Sequence, residues 1–452
     1  MPRPAVGPHE PVALCGASVV VSFDPPEVTK GDLVIENGRV LGFVALPEGT
    51  VRRDCAGSVV VPGNVCAHHH LYSALARGMP YRLESPSDFL EILQRIWWRL
   101  DRALDEESVR ASARLGALEA LRCGTTTIVD HHASPNFIDG SLDVIADALD
   151  ELGARAVLCY EVTDRDGTAR AAAGIEENRR FLSAPRSLAR GMVGAHASFT
   201  MSNETLAACA EAAREFGAGI HIHVAEDAVD EEDAVARFGK RVVERLVEHG
   251  AIDDRSLLAH CVHVNEREMK TVESVGATVV CNPRSNMNNG VGHSPFTNRK
   301  GRVAIGTDGI GGDLVAEAQA GFFRGREVAL DLPSDWPLVR LAESQRLVGR
   351  VYDEPLLGTL RPGAPADLAL IAYDPPTPFD AQSLAGHFVF GWSSGRVRDV
   401  YVGGERVMAD GRSTLVDEAE LAHASHEAAT RLWQRLEAIP AHDYTPEGRR
   451  TR

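Results

Sequence analysis

Residues 66–73 read CAHHHLYS and directly follow the apolar run SVVVPGNV of residues 58–65. Three consecutive histidines stand out in a chain that has 17 of them among 452 residues. On an extended strand, successive side chains point to opposite faces. His68 and His70 therefore share one face, and His69 points to the other. Two imidazoles on one face can chelate a single divalent ion, with Zn–N distances of about 2.0–2.1 Å. A lone His-x-His pair is as well explained by a packed core or a polar surface. The choice depends on whether other donors recur at the same structural position elsewhere in the chain.

They do recur. Seven further apolar runs follow: TTTIVDHH (125–132), ARAVLCYE (154–161), GMVGAHAS (191–198), AGIHIHVAE (218–226), SLLAHCVH (256–263), ATVVCNPRS (277–285) and RVAIGTDG (302–309). Helical segments such as ESVRASARLGALEALRC (107–123), LDVIADALDELG (142–153) and ETLAACAEAAREFG (204–217) separate them. Eight strands alternating with helices predict an α/β fold, a (β/α)8 TIM barrel. A doubly wound open sheet is the alternative.

The two chain ends read differently. ASVVVSF (17–23) and GDLVIENGRVLGFVAL (31–46) are β-rich, with a hairpin signal at Asn37-Gly38. ADLALIAYD (366–374) and VRDVYVGGERVMADGRS (397–413) repeat that texture, with a turn at Gly403-Gly404. The expectation is a small β-sandwich built from residues 1–60 and 356–415 and a barrel over 61–355. A helix and a polar, loose tail are expected over 416–452.

Composition narrows the function classes. With 44% apolar and 25% charged residues the chain is an ordinary globular one. A formal net charge of -17 argues against nucleic acid or an anionic membrane as partner, because both need clustered Lys and Arg. The opening MPRPAVGPHE has no apolar leader region, and no run of about 18 uncharged apolar residues occurs, so a cytoplasmic chain is expected. The eight cysteines are scattered with no C-x-x-C pair, which fits reduced thiols.

In a barrel of this kind, chemistry sits at the C-terminal ends of the strands. The strand exits carry His68 and His70; Asp130, His131 and His132; His196; His221, His223 and Glu226; His260; and Asp308. Imidazole and carboxylate suit zinc, iron or nickel better than calcium. Such an ion lowers the pKa of a bound water to about 7, and a neighbouring glutamate can move its protons. Tyr72, Arg77, Trp97 and Trp98 are available to a planar ring, although FLEILQRIWWRL (89–100) has helical periodicity and at least one tryptophan reads as core. Arg284 and Asn286 in NPRSN serve substrate or loop shape equally well. His263 reads as structural, His249 and His293 as loop residues, and His423 with His426 as a solvated helix face.

The set AHHH, HIHVAE, LLAHCVH, NPRSN and GTDG resembles the amidohydrolase superfamily. Within it, the set is similar to the metal-dependent aminohydrolases that include guanine, S-adenosylhomocysteine and cytosine-type deaminases and the triazine hydrolases. LYSALARGM, GAHASFTMSNETL and NPRSNMNN look like the SsnA subgroup of aminohydrolases associated with selenium metabolism. The resemblance implies a metal held by His68, His70, His223 and Asp308, with Glu226 as proton shuttle. It implies His260 beside the metal as a group that polarises substrate, with metal ligation there left open, and His196 on the far side of the substrate. His132 and the loop residues Tyr72 and Arg77 complete the expected substrate contacts; His221 is read as supporting or core.

One divalent metal per chain is expected, zinc first and iron second, because strand four ends without the lysine that bridges two-metal sites. The implied activity is hydrolytic deamination of an amino-substituted nitrogen heterocycle (purine, pterin, pyrimidine or triazine). Hydrolysis of a cyclic amide or ureide, or of a chloro- or alkylaminotriazine, is the second reading, and a non-catalytic metal-binding scaffold is the third. A homodimer or larger homo-oligomer is implied as well.

Overall fold

A computed structural model describes residues 10–184 and 186–447. The opening residues 1–9 and the last residues of the tail, 448–452, lie outside the described residues, as does position 185.

The eight expected runs are eight parallel strands: β1 (Asn64–His69), β2 (Thr125–His132), β3 (Arg155–Val162), β4 (Val193–Ala197), β5 (Ile220–Val224), β6 (Leu257–His260), β7 (Thr278–Cys281) and β8 (Val303–Ile305). They pair in chain order, each strand beside the next. The ends of the sheet then meet. The backbone N–H groups of Thr307 and Asp308 both donate to the carbonyl of His68 at 3.0 Å, and His69 bridges Asp308 in parallel fashion. The path is a barrel rather than an open doubly wound sheet.

Each strand is buried on both faces, as parallel strands covered by helices must be. Val65, Ala67, Val129, Val157, Cys159 and Leu257 pack together inside the barrel at its N-terminal end. Cys66, Ile128 and Leu158 face outward against the helices. Helix Glu106–Arg122 starts at a capping box in which Asp105 accepts from the Ser108 N–H and Ser108 Oγ accepts from the Asp105 N–H.

Two irregularities in this lattice position the site. Between β1 and β2, Cys66 pairs with Ile128 and His69 with Asp130, so three steps on β1 oppose two on β2. Between β4 and β5, Ala195 pairs with Ile222 and Ala197 with His223. Both are β-bulges at the C-terminal end of the barrel, where an extra residue re-aims the side chains beyond it.

Both chain ends share a sandwich. Strands Val12–Cys15, Leu33–Glu36, Arg39–Gly42 and Val51–Asp54 form one sheet. Strand Val59–Pro62 joins the other, pairing with Ser18–Phe23 on one side and with Leu368–Ile371 on the other. Leu14, Leu33 and Val40 of the first sheet pack on Val19, Val60 and Tyr401 of the second. The turns fall where the sequence placed them, with positive φ at Asn37 (49°) and Gly38 (78°) and at Gly403 (54°) and Gly404 (79°). Gly63 then leads from the sandwich strand into β1.

The tail is the departure from expectation. After helix Glu418–Glu437, residues 440–447 lie against the barrel mouth rather than hanging loose. His442 is buried, its N–H donates to the Gln94 carbonyl, and the Glu447 N–H donates to Asp233. Among the described residues, no helix is long and apolar enough to cross a membrane.

Closure depends on Gly306, whose missing Cβ would lie 2.7 Å from the backbone N and O of His68. Gly306→Ala is expected to lower stability by about 1–3 kcal/mol in denaturant unfolding, because backbone on both sides must shift. A variant as stable as the parent would refute this account of closure.

Candidate metal centre and active site

His68, His70, His223 and Asp308, from the exits of β1, β5 and β8, present donor atoms all within 4.8 Å of one another. The imidazoles are aimed by their far nitrogens. Nδ1–H of His70 donates to the His131 carbonyl (2.6 Å) and Nδ1–H of His223 to the His196 carbonyl (2.9 Å). Nδ1 of His68 meets His221 Nε2 at 2.8 Å. With its Nδ1 committed, each ring turns Nε2 toward the common point, the arrangement that fixes the tautomer of a ligating histidine.

The donor set fits a cation. Nε2 of His70 and His223 stand 3.2 Å apart and face each other. Nε2 of His68 and of His260 are buried with no hydrogen-bond partner among the described residues. Asp308 Oδ1 lies 3.1 Å from His70 Nε2 and 3.6 Å from His68 Nε2. Burial opposes a charge on His70, yet Asp308 overrides it and lifts that imidazole to about 9. Burial likewise works against the Asp308 anion, but the adjoining His68 and His70 imidazoles hold it well below the usual carboxylate range. The field at this point calls for positive charge.

A second group adjoins the first. Glu226, His260 and Asp308 also bring donor atoms within 4.8 Å of one another. His260 Nδ1 lies 2.9 Å from Asn286 Oδ1, and His260 Nε2 lies 3.4 Å from Glu226 Oε2. Burial, reinforced by the Asp308 charge, raises the Glu226 carboxyl well above its ordinary range. The backbone is strained at the same exits: Ala225, His260, Cys261 and Asp308 have φ of 44°, 71°, 49° and 52°. Non-glycine residues adopt such angles where the surroundings impose them, as functional sites do.

The expected residues divide plainly. His69 faces outward and meets Thr307 Oγ1 at 2.9 Å. His221 supports His68. His196 and Tyr72 line the pocket, and Nδ1 of His196 meets Thr200 Oγ1 at 2.6 Å. Arg77 does not reach the pocket. Its side chain is 64% exposed and forks onto Glu119, because the loop after His70 turns outward there. His132 is not in the pocket either; β2 buries it, and its Nε2 bonds Ser134 Oγ at 2.8 Å. Arg284 grips Glu317 and the carbonyls of Ile310, Gly311 and Asp313, which makes it a loop-shaping residue.

Sequence reasoning passed over four groups. Glu161, at the exit of β3, bonds Arg165 (2.8 Å) and His131 (3.1 Å). It was legible, since the strand-exit rule applies to CYEV as it does to the other runs. Asp101, Phe199 and the tail residues had no such signal. Asp101 and Trp98 come from the helical stretch of residues 89–103, which forms a pocket wall with Phe199. His442 and Tyr444 pack edge-on against Trp98, with ring centroids 5.1 and 5.9 Å away, and the Tyr444 hydroxyl donates to the Phe199 carbonyl.

The frame is a closed parallel barrel with histidine and carboxylate donors able to bind a metal clustered at its strand exits. The chain belongs to the amidohydrolase family, which its residues 59–348 match. It is 29% identical over 432 residues to a 5′-deoxyadenosine deaminase of Methanosarcina mazei, covering 92% of this chain and 97% of that one. It is 31% identical over 424 residues to a 5-methylthioadenosine/S-adenosylhomocysteine deaminase of Moorella thermoacetica, covering 89% and 95%. An adenosine deaminase of Xanthomonas campestris with bound zinc shares the fold, with a TM-score of 0.78 at 23% identity over 94% of this chain and 98% of that one.

Three expectations follow. His221→Ala releases the far nitrogen of His68 and should weaken metal affinity by about 10–100-fold with the fold retained, as measured by chelator competition; unchanged affinity would refute the supporting role. Arg77→Ala serves as the outward-facing control and should leave affinity and turnover intact. Truncation before residue 440 should raise KM without lowering metal content, because it removes the packing behind Trp98; an unchanged KM would show that the tail is dispensable.

Proposed function

We propose that this protein is a zinc-dependent hydrolytic deaminase whose substrate is an amino-substituted purine of the adenine nucleoside kind. The observation that carries the reading is the adjacency of two donor groups: Glu226 and His260 share Asp308 with the cluster of His68, His70 and His223. The deaminases among its relatives supply the substrate class.

His68, His70, His223 and Asp308 are the residues that would hold the ion. Three neutral imidazoles and one carboxylate suit zinc. When bound, the ion supplies Lewis acidity that activates water at neutral pH.

The protein's own groups do the rest. Glu226 takes one proton from the attacking water and passes it to a ring nitrogen; it then takes the second proton from the oxygen added to the ring carbon and delivers it to the departing amine. His260, whose Nδ1–H is committed to Asn286 Oδ1, offers Nε2 as an acceptor beside Glu226 and so orients the water. Asp308 is fixed by a hydrogen bond from Ser285 Oγ, which leaves Oδ1 toward the histidines. The ring lies against Trp97, Trp98 and Phe199, with His196 packed edge-on beside Trp98 and Phe199 on the same wall. Ammonia leaves and an oxo-purine remains.

Glu226→Gln keeps the carbonyl oxygen but loses the proton relay. It should bind one zinc per chain and lose about 10²–10⁴-fold in kcat, read as ammonia release from adenosine and 5′-deoxyadenosine. Zinc content measured on the same sample separates failed chemistry from a lost metal. Full turnover in this variant would overturn the assignment.

A further inference from the structure

The pocket beside this centre has an uneven set of ionisable side chains. Asp101, Glu161, Asp227 and Asp230 line it in addition to Glu226 and Asp308, and among the described residues no lysine or arginine does. One guanidinium, Arg165, stands behind the wall with its side chain 1% exposed. Arg165 is held by Asp101 at 2.6 Å and Glu161 at 2.8 Å, and lies 5.4 Å from the Trp98 ring centre.

A second observation points to a ligand. Asp101 is 1% exposed, and its Oδ1 is buried without a hydrogen-bond partner, while Oδ2 is occupied by Arg165. A buried carboxylate oxygen left unpaired is costly and calls for a donor. The neutral donors on the wall, such as Asn289 and the tryptophan N–H groups, carry no charge to offset an incoming anion.

We propose that this pocket selects substrates by charge: it takes a neutral or cationic ligand with a hydrogen-bond donor for Asp101, and rejects one that brings a carboxylate or phosphate to this wall. The inference rests on the deaminase reading for the identity of the ring but not for the sign of the charge. A buried anion needs a positive or hydrogen-bonded partner to repay its lost hydration. Here it would meet carboxylates, whereas an ammonium or hydroxyl would satisfy Asp101 Oδ1. Specificity then comes from repulsion as much as attraction.

The test compares three ligands that differ only at the 5′ position: 5′-deoxyadenosine, 5′-amino-5′-deoxyadenosine and adenosine 5′-monophosphate. The zinc-loaded enzyme is assayed for ammonia release, and calorimetry measures binding to the Glu226→Gln variant. The neutral and cationic ligands are expected to exceed the monophosphate by about 100-fold or more in kcat/KM and in affinity. Asp101→Ala uncovers one side of Arg165 and should shrink that ratio at least about tenfold.

Equal binding of the monophosphate and 5′-deoxyadenosine would overturn the charge rule while leaving the deaminase reading intact. Binding in the expected charge order without any ammonia release would sustain the charge rule and overturn the adenine assignment. Failure of all three to bind would overturn both.

Discussion

The site depends on one backbone contact, the double hydrogen bond that the His68 carbonyl accepts from the N–H groups of Thr307 and Asp308. It closes the barrel and simultaneously sets Asp308 beside His68 and His70, residues more than two hundred positions earlier. The contact demands close approach, which explains a glycine at 306, and a left-handed backbone at Asp308, which explains the strain there. Closure and donor geometry are therefore a single constraint.

The barrel's own peptide groups aim the donors. The His131 and His196 carbonyls lie at strand exits, where the parallel ladder runs out and leaves acceptors free for His70 and His223. The bulge on β4 turns the His196 carbonyl toward β5. His221 adds a third anchor from inside the barrel. Around this rigid base the pocket wall is assembled from distant parts of the chain: the stretch of residues 89–103, the loop at Phe199, and the tail that packs behind Trp98.

Much of this was legible in advance because it is local. Period-two alternation paired His68 with His70, and strand exits marked His223, Glu226, His260 and Asp308. Asn37-Gly38 and Gly403-Gly404 announced their turns. The failures are also physical. Arg77 and His132 sit next to site residues in sequence, but adjacency on a turning loop or an alternating strand does not carry a side chain to the same side. Asp101 is set in the pocket by its ion pair with Arg165, 64 residues on, and the tail packs behind Trp98 from more than three hundred residues away; no periodicity encodes either contact.

The deepest division concerns β1. Sequence alone determined that His68 and His70 share a face and that His69 takes the other, since alternation is a property of any extended chain. It did not determine which face looks inward. Val65 and Ala67 point into the barrel, so unbroken alternation would have sent His69 inward and the other two out. The bulge between Cys66 and His69 adds one residue against β2 and reverses the phase. That reversal is decided by pairing between strands, a tertiary constraint, and it is what turns His68 and His70 toward Asp308.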